Sequence, residues 1–187
     1  MGERIQIEGF LVIQQADLEL KKINILIGTQ ASGKSIIAKL CYFFRKISDH
    51  FRVGISSQQT KRQLDKNILE DFERRFPRYA WEGSNFSIHY EIDGFSFTIK
   101  GVKNSKGKTS VLLVYEELLK LFKKKKILYQ KKSEEMKSEL QNAGQKGETL
   151  ALVYDSVMRP LEDKYAHFFS YSMFIPASRS FFANLQR

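Results

Sequence analysis

Residues 28–35 read GTQASGKS, a full match to the pattern G-x-x-x-x-G-K-[ST]. Each fixed position answers a need of a nucleoside triphosphate. Gly28 and Gly33 let the backbone curl, so that successive N–H groups along Thr29, Gln30, Ala31 and Ser32 can face a phosphate without bulky side chains in the way. Lys34 supplies the countercharge between the β- and γ-phosphates, and the Ser35 hydroxyl is the Mg²⁺ ligand. Ile36 can offer its backbone N–H to the α-phosphate. A helix starting here would add the positive end of its dipole to the same site.

Such a loop works only between a strand and a helix, and the flanking residues have those patterns. "INILIG" (23–28) is a short apolar run ending in Gly, which predicts a buried strand over 23–27. "KSIIAKLCYFFRKISDHFR" then places Ile37, Leu40, Cys41, Phe44, Ile47 and Phe51 at three- and four-residue spacings, the stripe of an amphipathic helix. Upstream, "RIQIEGFLVIQQADLEL" alternates as one or two strands with a bend expected at Gly9. Downstream, "QQTKRQLDKNILEDFERRF" reads as a polar helix stopped by Pro77. Phe86, Ile88, Tyr90 and Ile92, then Phe95, Phe97 and Ile99, alternate on either side of Asp93-Gly94, which predicts a hairpin with a type I′ turn. His89 falls on its polar side, where solvent contact is the default.

From Ser110 to about Leu140 the pattern predicts a charged helix, with Leu112, Tyr115, Leu119 and Phe122 on one face and lysines 123–126 crowding the rest. "NAGQKG" breaks it, and "ETLALVYDSVMRPLEDKYAHFF" restarts it with a kink or stop at Pro160. A short strand over 172–175 precedes Pro176. The expected architecture is α/β, with antiparallel strands from 4–20 and 86–100 flanking a mixed sheet that contains strands 23–27 and 172–175. One domain spans residues 1–187, with a charged helical insertion at about 110–169.

Composition narrows the setting. The apolar fraction of 42% with 15 Phe can fill a packed core. A formal charge of +10 can attract nucleic acid or an acidic partner, or can be spread over a solvated surface. The single Cys41 excludes an intramolecular disulfide and suits a reducing cytosol, where a buried structural thiol is its expected role. No segment reaches the roughly 18 apolar residues of a membrane span, so a cytoplasmic protein with no membrane partner is expected.

Hydrolysis needs more than a phosphate loop: an acid at the end of a second core strand to hold Mg²⁺, and a group that positions water. "VLLVYEE", ending in Glu116-Glu117, and "LALVYD", ending in Asp155, have the form of a strand plus acid, but both also read as helix. As a nucleotide site the loop therefore reads as half-built.

The combination of "DLELKK", "INILIGTQASGKSIIAKLCYFF", an antiparallel hairpin and "FIPASRS" resembles the N-terminal part of ABC-type AAA-family ATPases. These are prokaryotic relatives of the structural-maintenance-of-chromosomes proteins and of the overcoming-lysogenization-defect nucleases. Gln30 and Ile36 depart from the Asn and Thr common at their positions. The resemblance implies a P-loop fold, ATP and Mg²⁺ as ligands, and Ala177, Ser178 and Arg179 on the γ-phosphate side near a dimer seam. It also implies a signature sequence, a Walker B strand and a switch histidine, none of which occurs before Arg187. The expectation is an incomplete nucleotide-binding domain that binds ATP without self-sufficient hydrolysis. It would work in DNA transactions or phage defence with a second ATPase subunit or a missing C-terminal half. A DNA-contacting role for the lysine-rich helix is weighed against a solvated face. Two other readings stay open: a small P-loop kinase or phosphotransferase using Glu117 or Asp155, and an interaction module that uses no nucleotide.

Overall fold

The computed structural model describes residues 2–141 and 149–175. Five strands, β1 (Glu3–Phe10), β2 (Ile13–Leu20), β3 (Phe86–Ile92), β4 (Phe95–Lys103) and β5 (Thr109–Val114), form one sheet in the order β2-β1-β3-β4-β5. Every pairing is antiparallel. Four helices accompany it: α1 (Lys34–Ser56), α2 (Lys61–Arg75), α3 (Glu116–Gln141) and α4 (Thr149–Lys164). The class is α/β, as expected.

Period-2 patterning sorts the sheet into two faces. Ile5, Ile7, Ile88, Tyr90, Phe97 and Ile99 are fully buried and meet Phe43, Phe44, Ile47 and Phe72 from α1 and α2. Phe44 stacks on Tyr90 at 4.7 Å. The opposite face carries Arg4, Gln6, Asp17, His89 and Thr98. There Arg4 Nε donates to Asp17 at 2.7 Å, and His89, on the polar side as expected, is only partly exposed and bonds Thr98 Oγ1 at 2.9 Å and Glu91 at 3.1 Å. The β3–β4 turn has positive φ at both Asp93 (50°) and Gly94 (82°), the type I′ condition. Gly9 has the left-handed φ (62°) of the bend expected there, and the hairpin itself turns two residues later at Leu11 (φ 57°).

α2 begins at a capping box in which the Thr60 side chain accepts from the Gln63 backbone and Gln63 answers to the Thr60 amide. It ends at Arg75, before Pro77. One charged clasp ties α1 to α4, and a second lies mainly within α2. Arg52 of α1 donates to Glu162 of α4 at 2.8 Å and to the Phe169 carbonyl at 2.8 Å. Asp71, almost wholly buried, receives Arg75 at 3.0 Å and also Arg74, with His50 at 3.7 Å. Burial works against its charge, but the hydrogen bonds from His50, Arg75 and Arg74 prevail and hold the carboxyl well below its ordinary range.

Four expectations are corrected. Residues 23–27 form no strand. The Asn24 side chain clasps Lys21 (Lys21 N–H to Asn24 Oδ1 2.9 Å, Asn24 Nδ2 to the Lys21 carbonyl 2.7 Å), turning the chain out of the sheet after β2. Residues 172–175 are likewise unpaired, so the described sheet is antiparallel throughout and not mixed. Residues 109–114, read as the start of a helix, are the edge strand β5, whose exposed Leu112 and half-buried Val111 blur its alternation. Finally, of the kink or stop expected at Pro160 the stop does not occur: α4 continues through it to Lys164, with Val157, Met158 and Leu161 anchored in the core on both sides of the proline. The break expected at "NAGQKG" lies outside the described residues.

Candidate functional site

The loop from Gly28 to Gly33 leads directly into α1, which starts at Lys34. Gly33 is the helix N-cap with φ 88°, and its carbonyl accepts from Ile36 N–H (2.9 Å) and Ile37 N–H (3.0 Å). A Cβ there would lie 2.7 Å from Ile13 Cγ1, so both the backbone angle and the hairpin above require glycine. Ala31 also takes a left-handed φ, 62°. Gly28 has a different reason: a Cβ would come 3.1 Å from Ser32 Oγ and 3.8 Å from Lys34 Nζ, inside the space the loop encloses.

The Lys34 ammonium folds back over this loop and donates to the Gly28 carbonyl (2.8 Å), to the Thr29 carbonyl and to Ser32 Oγ (3.0 Å). Thr29, Gln30, Ala31, Ser32 and Ser35 are exposed. Among the described residues, the backbone N–H groups of Thr29, Gln30, Ala31, Gly33, Lys34 and Ser35 are donated to no other group of the protein, and Ser32 N–H makes only a weak turn across Gln30-Ala31 to Thr29. No acid stands in the first turn of α1 to neutralise the helix dipole. The structure thus gathers unsatisfied donors, one lysine and one hydroxyl at an open helix N-terminus, an arrangement whose chemical complement is a phosphate chain.

Mg²⁺ makes a smaller demand on the protein. Among the described residues no group of three or more His, Cys, Asp or Glu could hold a metal ion. The exposed Ser35 hydroxyl, next to Lys34, fits an Mg²⁺ that takes its other ligands from phosphate oxygens and water.

The remaining candidates are dispersed. Glu116 and Glu117 open α3, and Glu117 borders a cavity with Asp93, Lys120 and Lys164 that contains no residue of the loop. Asp155 lies on α4, 4.0 Å from Arg159. Ala177, Ser178 and Arg179 lie outside the described residues. Cys41 borders a cleft and is half-buried; burial raises its thiol to about 12, which makes it a poor nucleophile.

That cleft, of about 480 Å³, runs along α1 between two extended segments, and sequence reading did not foresee it. Leu26 lies on one side, Met173 and Phe174 on the other, and Ile37 and Tyr42 between them. Phe174 packs on Tyr42 at 5.8 Å. The outer side of each segment is bare: Ile23, Ile25 and Ile27 are 78%, 79% and 91% exposed, and Met173 and Ile175 are exposed as well. Next to Cys41, Glu3 accepts from Arg45 Nε at 3.0 Å and from the Tyr90 hydroxyl, a network that pins β1 and β3 to α1.

No family model, curated protein or solved structure matches the chain. The fold and the site's own geometry define an α/β protein with an open, donor-rich loop at the head of the core-packed helix α1. Among the described residues no helix is long and apolar enough to cross a membrane.

Proposed function

We propose that this chain is an ATP-binding module of the ABC-type ATPase class, holding nucleotide with Mg²⁺ through Gly28 to Ile36 and acting with a further polypeptide in DNA transactions. The supporting observation is the run of N–H donors from Thr29 to Ser35, almost all without a partner among the described residues, beneath the Lys34 ammonium at the start of α1. A triphosphate meets there the countercharge of Lys34 and the dipole of a 23-residue helix. Bound Mg²⁺ would supply the charge that bridges phosphate oxygens, with Ser35 as its protein ligand.

The need for a further polypeptide rests on Ile23, Ile25 and Ile27. An extended segment with apolar residues on both sides is characteristic of a strand covered on both faces, and among the described residues only one of its sides is bordered, by α1 and the segment 171–175. Covering the three isoleucines would contribute about 1.5–3 kcal/mol each. In this reading the partner is a second ATPase subunit or a C-terminal half, and it brings the Mg²⁺-holding acid that Glu117 and Asp155 are poorly placed to provide.

Equilibrium binding of a fluorescent ATP analogue to metal-free protein, with and without added Mg²⁺, tests the proposal. Saturable binding that tightens with Mg²⁺ is expected. Its absence under both conditions would leave an interaction module that uses no nucleotide.

A further inference from the structure

The structure divides the lysine run in a way that the sequence conceals. Lys126 Nζ donates to the carbonyls of Gln58 (3.3 Å) and Gln59 (3.0 Å), and Lys125 Nζ approaches the Val157 carbonyl at 3.5 Å. These two lysines clasp α3 to the α1–α2 connection and to α4. Lys124 and, one turn earlier, Lys120 instead line a cavity of about 810 Å³ between the β3–β4 turn, α3 and α4. Lys164 joins them from α4, its ammonium 5.0 Å from the centre of the Tyr165 ring.

Among the described residues, Lys120, Lys124 and Lys164 have no acidic partner within ion-pair distance. Of the two acids at the rim, Asp93 is already engaged: its Oδ2 accepts from the His167 and Phe168 amides at 3.0 Å each. Glu117 has only a 3.5 Å contact with Ser96. The floor is apolar and aromatic, with Phe95 and Tyr165 rings 4.6 Å apart beside Leu121. Like charges at i, i+4 destabilise a bare helix, so Lys120 and Lys124 are placed for an external anion.

We propose that this cleft binds single-stranded nucleic acid, with phosphodiesters on Lys120, Lys124 and Lys164 and an unstacked base against the partly exposed Tyr165 ring, which the buried Phe95 backs. Cationic rims over aromatic floors suit splayed nucleotides, and the cavity is the size of a small-ligand site, too narrow for a rigid duplex. The inference deepens the DNA-associated reading above. It does not require the phosphate loop to bind ATP.

The probe is a fluorescein-labelled oligo-dT of about 15 nucleotides, followed by anisotropy across a salt series without nucleotide. The double variant Lys120→Gln/Lys124→Gln is compared with Lys103→Gln/Lys106→Gln, an equal charge change at the distant β4–β5 turn. All four lysines are exposed, so both proteins should fold, which circular dichroism verifies. The cleft variant is expected to weaken binding at least about fivefold and to lower the salt slope by about 1.4, from 0.7 per lost contact. Tyr165→Leu should weaken binding without changing the slope, and the β4–β5 variant should do neither. Equal losses in both lysine variants would reduce the effect to net charge and overturn the site, as would tighter binding of a duplex or of a polyglutamate peptide. Wild-type ATP binding with no oligo-dT binding would overturn the cleft and leave the nucleotide reading intact; the converse would do the reverse.

Discussion

Replacing Gly33 and Gly28 separately by Ala distinguishes two jobs that one motif assigns to one residue type. At Gly33 the φ of 88° costs an L-residue about 1–2 kcal/mol. The added Cβ would also meet Ile13 Cγ1 at 2.7 Å, Ile13 Cδ1 at 3.2 Å and Val12 Cγ2 at 3.4 Å. Ile13 is 6% exposed and belongs to the core, so it cannot simply swing into solvent, and overpacking of this kind adds about 1 kcal/mol. The sum is a loss of about 2–3 kcal/mol. At Gly28 the φ is not left-handed and the nearest atoms are the exposed Ser32 hydroxyl and the end of Lys34, so Gly28→Ala should cost under about 0.5 kcal/mol. Its methyl group would instead crowd the phosphate space, so nucleotide affinity should fall in both variants. Urea unfolding of the three proteins gives the stabilities. A Gly28→Ala loss as large as that of Gly33→Ala would refute the assignment of conformation to one glycine and space to the other.

Ile25→Lys should leave the stability of the isolated chain within about 0.5 kcal/mol of wild type, whereas Ile88→Ala should cost about 2–5 kcal/mol; thermal denaturation checks both, and a large effect at Ile25 would place it in a core. Asp71→Asn should destabilise by about 2 kcal/mol near neutral pH, because Arg74 and Arg75 lose a buried partner. The folded-state carboxyl is depressed, so its contribution is complete above the unfolded value of about 3.9 and is lost as pH falls through the lower folded value. Wild-type and variant stabilities should therefore converge only below about pH 4, and convergence at higher pH would show that the clasp is not the source. Steady-state phosphate release from the purified chain should be negligible, and Glu117→Gln and Asp155→Asn should not change it; an activity abolished by either would show a complete catalytic site.

The legible parts of this fold are those whose signals are local. The 3.6-residue stripe from Ile37 to Phe51 and the Asp93-Gly94 turn each specify geometry within a few residues, and each is realised; the Thr60–Gln63 box that starts α2 is equally local but was not read from the sequence. Residues 23–27 show the limit. Their apolar run was readable, but burial depends on what lies beside them, and among the described residues α1 and the segment 171–175 border only the cleft side while Ile23, Ile25 and Ile27 stay exposed. β5 was read as helix because a short apolar run carries no decisive period, and its pairing with β4 is a non-local fact. At the loop from Gly28 to Gly33 the sequence showed where glycine is needed ahead of a helix, but not that Ile13 from the first hairpin presses on Gly33. Likewise the four lysines 123–126 looked equivalent on a helical cylinder. Contacts with Gln58, Gln59 and Val157 separate those that hold the fold from those that face the cleft.

The central claim is that Gly28 to Ile36 bind the phosphates of ATP, with Lys34 as the main countercharge. Isothermal titration calorimetry of Mg-ATP into the wild type and Lys34→Ala is its most direct test. Lys34 is half-buried and bonded only to loop oxygens, so its removal should leave the fold intact, and matched melting curves confirm this. Losing a charge-assisted phosphate contact of this kind costs about 2–3 kcal/mol, so the variant should bind at least about thirtyfold more weakly. Equal affinity in the two proteins, or no heat of binding in the wild type at saturating Mg-ATP, would contradict the account.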